Sequence, residues 1–293
     1  MEKLIDKQRV VQHMNGRLLR NNLLKFLFFL ATVFGLIVLI VLLYRILTQA
    51  IGWLNFDFLN NFPSRRPEDA GIKAGLVGSL WLMVIVAPVS LILGVGTAIY
   101  LEEYAKKNRF TDFIQTNISN LAGVPSIVFG LLGLTLFVRE LNLGRSILAA
   151  GLTMSLLVLP VIVVAAQEAI RAVPNQLREA SYGMGATKWQ TIYRIVLPAA
   201  IPGILTGSIL ALSRAIGETA PLVVLGIPTF LAYLPRGILD TFTVMPMQIY
   251  NWTSRPQADF QHVAAAGIVV LLVVLILMNS IAIFIRNKFQ KRY

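Results

Sequence analysis

Six stretches of this chain, residues 26–44, 75–101, 118–138, 147–166, 199–225 and 263–285, each run 19 residues or more and together hold only two charged side chains. A helix rising 1.5 Å per residue needs about 20 apolar residues to cross a hydrocarbon layer ~30 Å thick. Each stretch comes up to that length within a residue or so, and the sequence therefore predicts an all-α, polytopic membrane protein with six transmembrane helices. Composition agrees. Of the 293 residues 56% are hydrophobic and 14% charged, against about 25% charged in soluble domains. A soluble enzyme, a nucleic-acid module and a disordered scaffold are excluded on these grounds.

Lys and Arg number 26 against 14 Asp and Glu, a net charge of +12. In a soluble chain such a surplus points to nucleic acid; here its distribution points elsewhere. The tail 1–25, the loops 102–117 and 167–198 and the tail 286–293 hold 17 of the basic residues, while the alternate loops 45–74, 139–146 and 226–262 hold 8. Arg214 alone lies inside a span. The positive-inside rule then assigns both termini and the loops 102–117 and 167–198 to the cytoplasm. The expected organisation is a basic tail 1–25, one membrane domain 26–285 and a short tail 286–293. The first span follows a basic flank as a signal peptide would, but its 19 apolar residues exceed an h-region and predict a retained anchor.

Chemistry of its own is not visible in the chain. Cysteine is absent, no Gly-x4-Gly-Lys-[Ser/Thr] loop occurs to cradle phosphates, and no His-Glu-x-x-His zinc helix is found. His13 and His262 lie in a tail and at a span edge. Neither catalytic residues nor metal ligands are expected, so any work done must draw its energy from a partner.

The loop 167–198 carries the most pattern. Pro174 restricts the residue before it, Asn175 is placed to cap, and residues 176–182 read as a short helix stopped by Gly183 and Gly185. A second helix is expected from Thr187 to Val196, with Pro198 and Pro202 opening the next span. A helix–glycine–helix of this kind suits either docking into a groove of another protein or packing as an interfacial loop on its own bundle.

Within that loop Glu179-Ala180-Ser181, three residues, Gly185, nine residues, then Ile195-x-Leu197-Pro198 resembles the EAA signature of ABC-importer permeases. Ser181 stands for the third Ala, small for small. The resemblance implies a type I ABC importer permease (MetI-like) fold, with this loop seated as a coupling helix on a separate ATPase. ATP and Mg would be bound by that ATPase, and no cofactor by this chain. Residues 123–131, with Gly123, Pro125, Ser126 and Gly130, and residues 213–222, with Arg214, Gly217, Glu218 and Pro221, are similar to phosphate-importer permeases. The second stretch is closer to PstA-type than to PstC-type subunits. The resemblance runs from about residue 75 onward. It implies a bacterial inner-membrane permease subunit of an ATP-driven phosphate importer. The implied partners are a PstC-like second permease, a PstB-like ATPase dimer, a PstS-like extracytoplasmic binding protein and surrounding lipid, with room for a cytoplasmic regulator.

Arg214 and Glu218 also stand out physically. Four residues apart, they are expected on one face of a helix, and an Arg near mid-bilayer costs about 2.5–3.5 kcal/mol on insertion scales. A wet path or a partner must offset that cost. Guanidinium stays charged and can bond two phosphate oxygens at once. A neighbouring carboxylate can accept a hydrogen bond from the proton of HPO4(2−) or H2PO4(−), which fully ionised sulfate cannot offer. The plainer reading is a structural ion pair, disfavoured by the Arg-before-Glu order and by Gly217 between them. The competing functions are a permease for sulfate, molybdate or phosphonate, a passive anion channel, and a membrane scaffold whose loop docks a regulator.

Overall fold

The computed structural model describes residues 7–289, and its regular structure is helical apart from one isolated antiparallel bridge, Ser146 to Thr241. Helix α1 (Lys7–Ala50) carries the first apolar stretch and extends it at both ends. From Arg17 onward Ala50 is its only buried residue, as suits a helix that faces lipid. Near that end His262 Nδ1 lies 2.9 Å from Gln49 O, and its ring stacks on Trp53. A short helix α2 (Phe56–Asn60) follows, its start capped by Asn55 Oδ1, which accepts from the Phe58 N–H at 2.7 Å.

The centre of the bundle is α3 (Lys73–Ile99), lengthened by a π turn at Tyr100–Tyr104. The third apolar stretch departs from expectation. Instead of one span over 118–138, the chain forms α4 (Arg109–Leu121) and then α5 (Ser126–Gly133) with a π turn at Leu134–Glu140. The two halves are bent by 103°. Pro125 denies Val124 the helical region, and α4 has no buried residue. Counting that bent pair as one crossing gives six, beside five helices that are each long and apolar enough.

Helix α6 (Ile147–Arg171) packs along α3, with Ser146 Oγ accepting from the Ala149 N–H at 3.2 Å to cap it. Small residues let the backbones approach: a Cβ on Gly94 would lie 2.7 Å from Ile162, and one on Gly151 2.6 Å from Ile85. This is how helices associate in lipid, where apolar burial alone drives nothing. The buried hydroxyls Ser90, Thr153 and Ser155 donate to carbonyls one turn back, at 2.6, 2.8 and 2.7 Å.

The remaining elements are α7 (Asn175–Gly183), α8 (Lys188–Thr191), a π turn Ile192–Val196, α9 (Leu197–Gly217), α10 (Ala220–Leu225), α11 (Met245–Thr253) and α12 (Asp259–Phe289). Two corrections arise here. The fifth apolar stretch is not a single helix: it breaks at Glu218, whose ψ of 125° is extended. The expected loop 226–262 holds a buried segment, residues 242–249, all of them enclosed. That segment wedges between α3 and α12. The Met245 N–H donates to Ser79 Oγ at 3.0 Å and Gln248 Nε2 to Gly71 O at 3.1 Å. Thr243 Oγ1 and Gln248 Oε1 are buried without a hydrogen-bond partner among the described residues.

Candidate functional site

The loop 167–198 forms a helical hairpin in which each turn has an identifiable cause. Pro174, at φ −58° and ψ 136°, precedes the helix, so Asn175 is its first residue and not its cap. Gly183 stays helical; the chain reverses at Gly185, whose φ of +82° is natural to glycine. Thr187 starts the second helix with a reciprocal cap: its Oγ1 accepts from the Gln190 N–H at 3.3 Å while Gln190 Oε1 accepts from the Thr187 N–H at 2.9 Å. The helix expected to end at Val196 does not end there. It continues through the π turn into α9, so Lys188–Gly217 is one rod of 30 residues. The widened turn absorbs Pro198, whose missing N–H would otherwise interrupt the ladder.

The signature residues divide between two faces. Glu179, Ala180 and Gly185 are exposed, beside Tyr182, Met184 at 81% and Trp189 at 63% exposure. Ile195, Leu197 and Pro198 are half-buried where the hairpin joins its span. Ser181 is buried, and its Oγ lies 2.9 Å from Thr191 Oγ1, tying the two arms together. A loop packed on its own bundle would hide Met184 and Trp189; this one presents them.

A set of side chains that the sequence reading did not single out holds the hairpin in place. The π turn ending α3 carries Glu102 and Glu103. Glu102 receives Gln167 Nε2 at 2.9 Å and the Arg171 guanidinium at 2.6 and 2.9 Å from the end of α6. Glu103 receives Arg178 from α7, at 3.0 and 3.3 Å. The same guanidinium donates to Ile170 O at 2.9 Å, Val173 O at 2.7 Å and Asn175 Oδ1 at 3.2 Å. With the Arg178 and Glu103 side chains 16% and 9% exposed, this is a desolvated and satisfied pair, unlike a surface ion pair.

Arg214 sits in the last turn of α9, and its side chain is exposed. Among the described residues it makes no ion pair. The expected sharing of one helical face with Glu218 fails because Glu218 is the residue at which the helix ends. Arg214 borders a small cavity of about 40 Å³ with Ser126, Phe129, Val161 and Ala211. That volume exceeds the roughly 10–15 Å³ that a single water requires. One residue earlier, Ser213 Oγ bonds Ile209 O at 2.6 Å and Asn279 Oδ1 of α12. Gly130 packs α5 on the broken region, where an added Cβ would lie 2.8 Å from Pro221 Cα. Gly123 lies exposed in the break between α4 and α5.

Residues 90–293 match the family described as binding-protein-dependent transport system inner membrane component. The chain is 32% identical over 267 residues to the probable ABC transporter permease protein YqgI of Bacillus subtilis, which covers 87% of this chain and 91% of that protein. It is 36% identical over 271 residues to the phosphate transport system permease protein PstA 1 of Mycobacterium tuberculosis, covering 88% and 86%. Among solved structures, the inward-facing MetNI methionine ABC transporter superposes with a TM-score of 0.63 at 16% identity, over 74% of this chain and 95% of that one. That likeness bears on the fold.

Proposed function

Because the chain belongs to the family of binding-protein-dependent transport system inner membrane components, we propose that it is the permease subunit of an ATP-driven importer of inorganic phosphate. The observation that carries the substrate is the 36% identity to a phosphate permease over 88% of this chain. The protein is multi-pass, with five long apolar helices and a bent sixth crossing.

In this reading a second, PstC-like permease completes the path and two copies of a PstB-like ATPase bind ATP and Mg. A PstS-like binding protein delivers the anion from outside, and both termini of this chain lie in the cytoplasm. The exposed face of Glu179, Ala180, Tyr182, Met184 and Trp189 docks on the ATPase. Gly185 permits the reversal that presents this face, and Ile195, Leu197 and Pro198 seat the hairpin on its rod. Hydrolysis tilts that rod, and Arg214 lies near its far end. Arg214 and Glu218 line the path. The guanidinium supplies a permanent charge with a two-oxygen fork, and the carboxylate accepts a hydrogen bond from the proton that phosphate keeps. An exposed guanidinium without an ion-pair partner among the described residues supports this role better than a structural pair.

The test is uptake by the co-purified complex in vesicles. Phosphate accumulation that depends on ATP hydrolysis is expected, with sulfate at equal concentration failing to compete. Accumulation without ATP would make the protein a channel, and equal transport of sulfate would remove phosphate selectivity. Arg214→Gln should abolish uptake with assembly intact, and Arg214→Lys should restore it only in part. Restored transport in Arg214→Gln/Glu218→Gln would reduce Arg214 to a structural partner of Glu218.

A further inference from the structure

We infer that Arg178 and Glu103 form a clamp that converts the docked hairpin into a rigid extension of α3 and α6, and that without it hydrolysis and transport come apart. The inference rests on the coupling role proposed above and adds the residues that make it mechanical.

Helix α7 has a covalent joint to α6 only through Ala172–Pro174, where the helix has ended and Pro174 is extended. This short joint, in which only Val173 and Pro174 lie beyond the helical cap Ala172, forms a hinge, and a helix docked on a moving partner would swing about it. Arg178 closes that hinge. Its Nη2 reaches across to Glu103 Oε1 at 3.0 Å and back to Ile170 O at 2.9 Å, while its Nη1 holds Val173 O at 2.7 Å. One planar fork thus joins α7 to the last turn of α6, to the joint itself and to α3, which has no covalent link to the hairpin. Lysine could supply the charge but not five bonds in fixed directions. The widened turn at Tyr100–Tyr104 is what makes the reach possible. It places Glu102 toward Arg171 and Glu103 toward Arg178, so neighbouring residues grip two different helices. Arg178 is followed directly by the exposed Glu179, so the clamp lies immediately behind the docking face. It is a positioning residue and touches no substrate.

The experiment uses the complete transporter in vesicles with Arg178→Met, Arg178→Lys and Glu103→Gln. The last keeps the shape and removes only the charge, so it stays folded if the more severe variant does not. Phosphate moved per ATP hydrolysed is expected to fall about tenfold in Arg178→Met and less in the other two. Complex yield and ATPase binding should be unchanged. A merely structural role would lower yield and leave that ratio alone in the surviving complex. Spin labels at Gln176→Cys on α7 and Ile92→Cys on α3 give a second readout, since the chain has no cysteine of its own. Their distance should be narrowly distributed in the parent chain, with and without ATP, and broad in Arg178→Met. An unchanged ratio together with a narrow distribution in every variant overturns the clamp. If the parent complex hydrolyses ATP but moves no phosphate, the phosphate reading fails, and the label distribution still decides the clamp.

Discussion

At Gly185 a single dihedral carries the shape of the docking surface. Its φ of +82° lies in the region that costs L residues about 1–2 kcal/mol, more when the side chain is β-branched. Gly185→Val should leave the chain inserted but misdirect the hairpin, uncoupling uptake from hydrolysis; normal transport at an unchanged ATPase rate would count against the docking assignment. Ser181 gives the opposite case. Ser181→Ala removes the bond to Thr191, yet Thr191 Oγ1 keeps Thr187 O at 3.1 Å. A loss of about 1 kcal/mol or less is expected in thermal unfolding. The EAA spacing was legible because it is local. The Arg178–Glu103 pair spans 75 positions, and no one-dimensional pattern announces a contact of that separation. The shared helical face expected of Arg214 and Glu218 failed for a related reason: the i,i+4 rule presumes a continuous helix, and the backbone breaks at the second residue.

Helix-sized elements show what hydropathy can see. Apolar content over a window measures the transfer energy of a segment and reveals six of them, but it is blind to direction. Gly123 and Pro125 marked the break between α4 and α5 in plain view, yet the window averaged across it. The buried segment 242–249 was missed from the other side, since its enclosure comes from α3 and α12 and not from its own residues. Packing at the α5–α10 contact is tight enough to test. A Cβ on Gly130 meets backbone of Pro221 within 2.8–2.9 Å, atoms that cannot swing aside. Gly130→Leu should cost about 1–3 kcal/mol, read as a lower melting temperature of the purified complex, with the hairpin still able to bind its ATPase.

For the whole molecule, the alternation of basic loops predicts an orientation that the exposed positions make measurable. Ser254 and Thr187 are both exposed and lie at opposite ends of the bundle. With no native cysteine among the described residues, Ser254→Cys should react with an impermeant reagent added outside intact cells and Thr187→Cys should not. The reverse pattern would invert the topology and remove the hairpin from the cytoplasm. The wedge at residues 242–249 bears on how such a protein is made. Its polar members Thr243 and Gln248 give it no claim to insert alone, and one of the two walls that enclose it, α12, is synthesised after it. The segment therefore cannot be fully enclosed until α12 has been made. A nascent chain stopped before residue 259 would carry the segment without one of its walls.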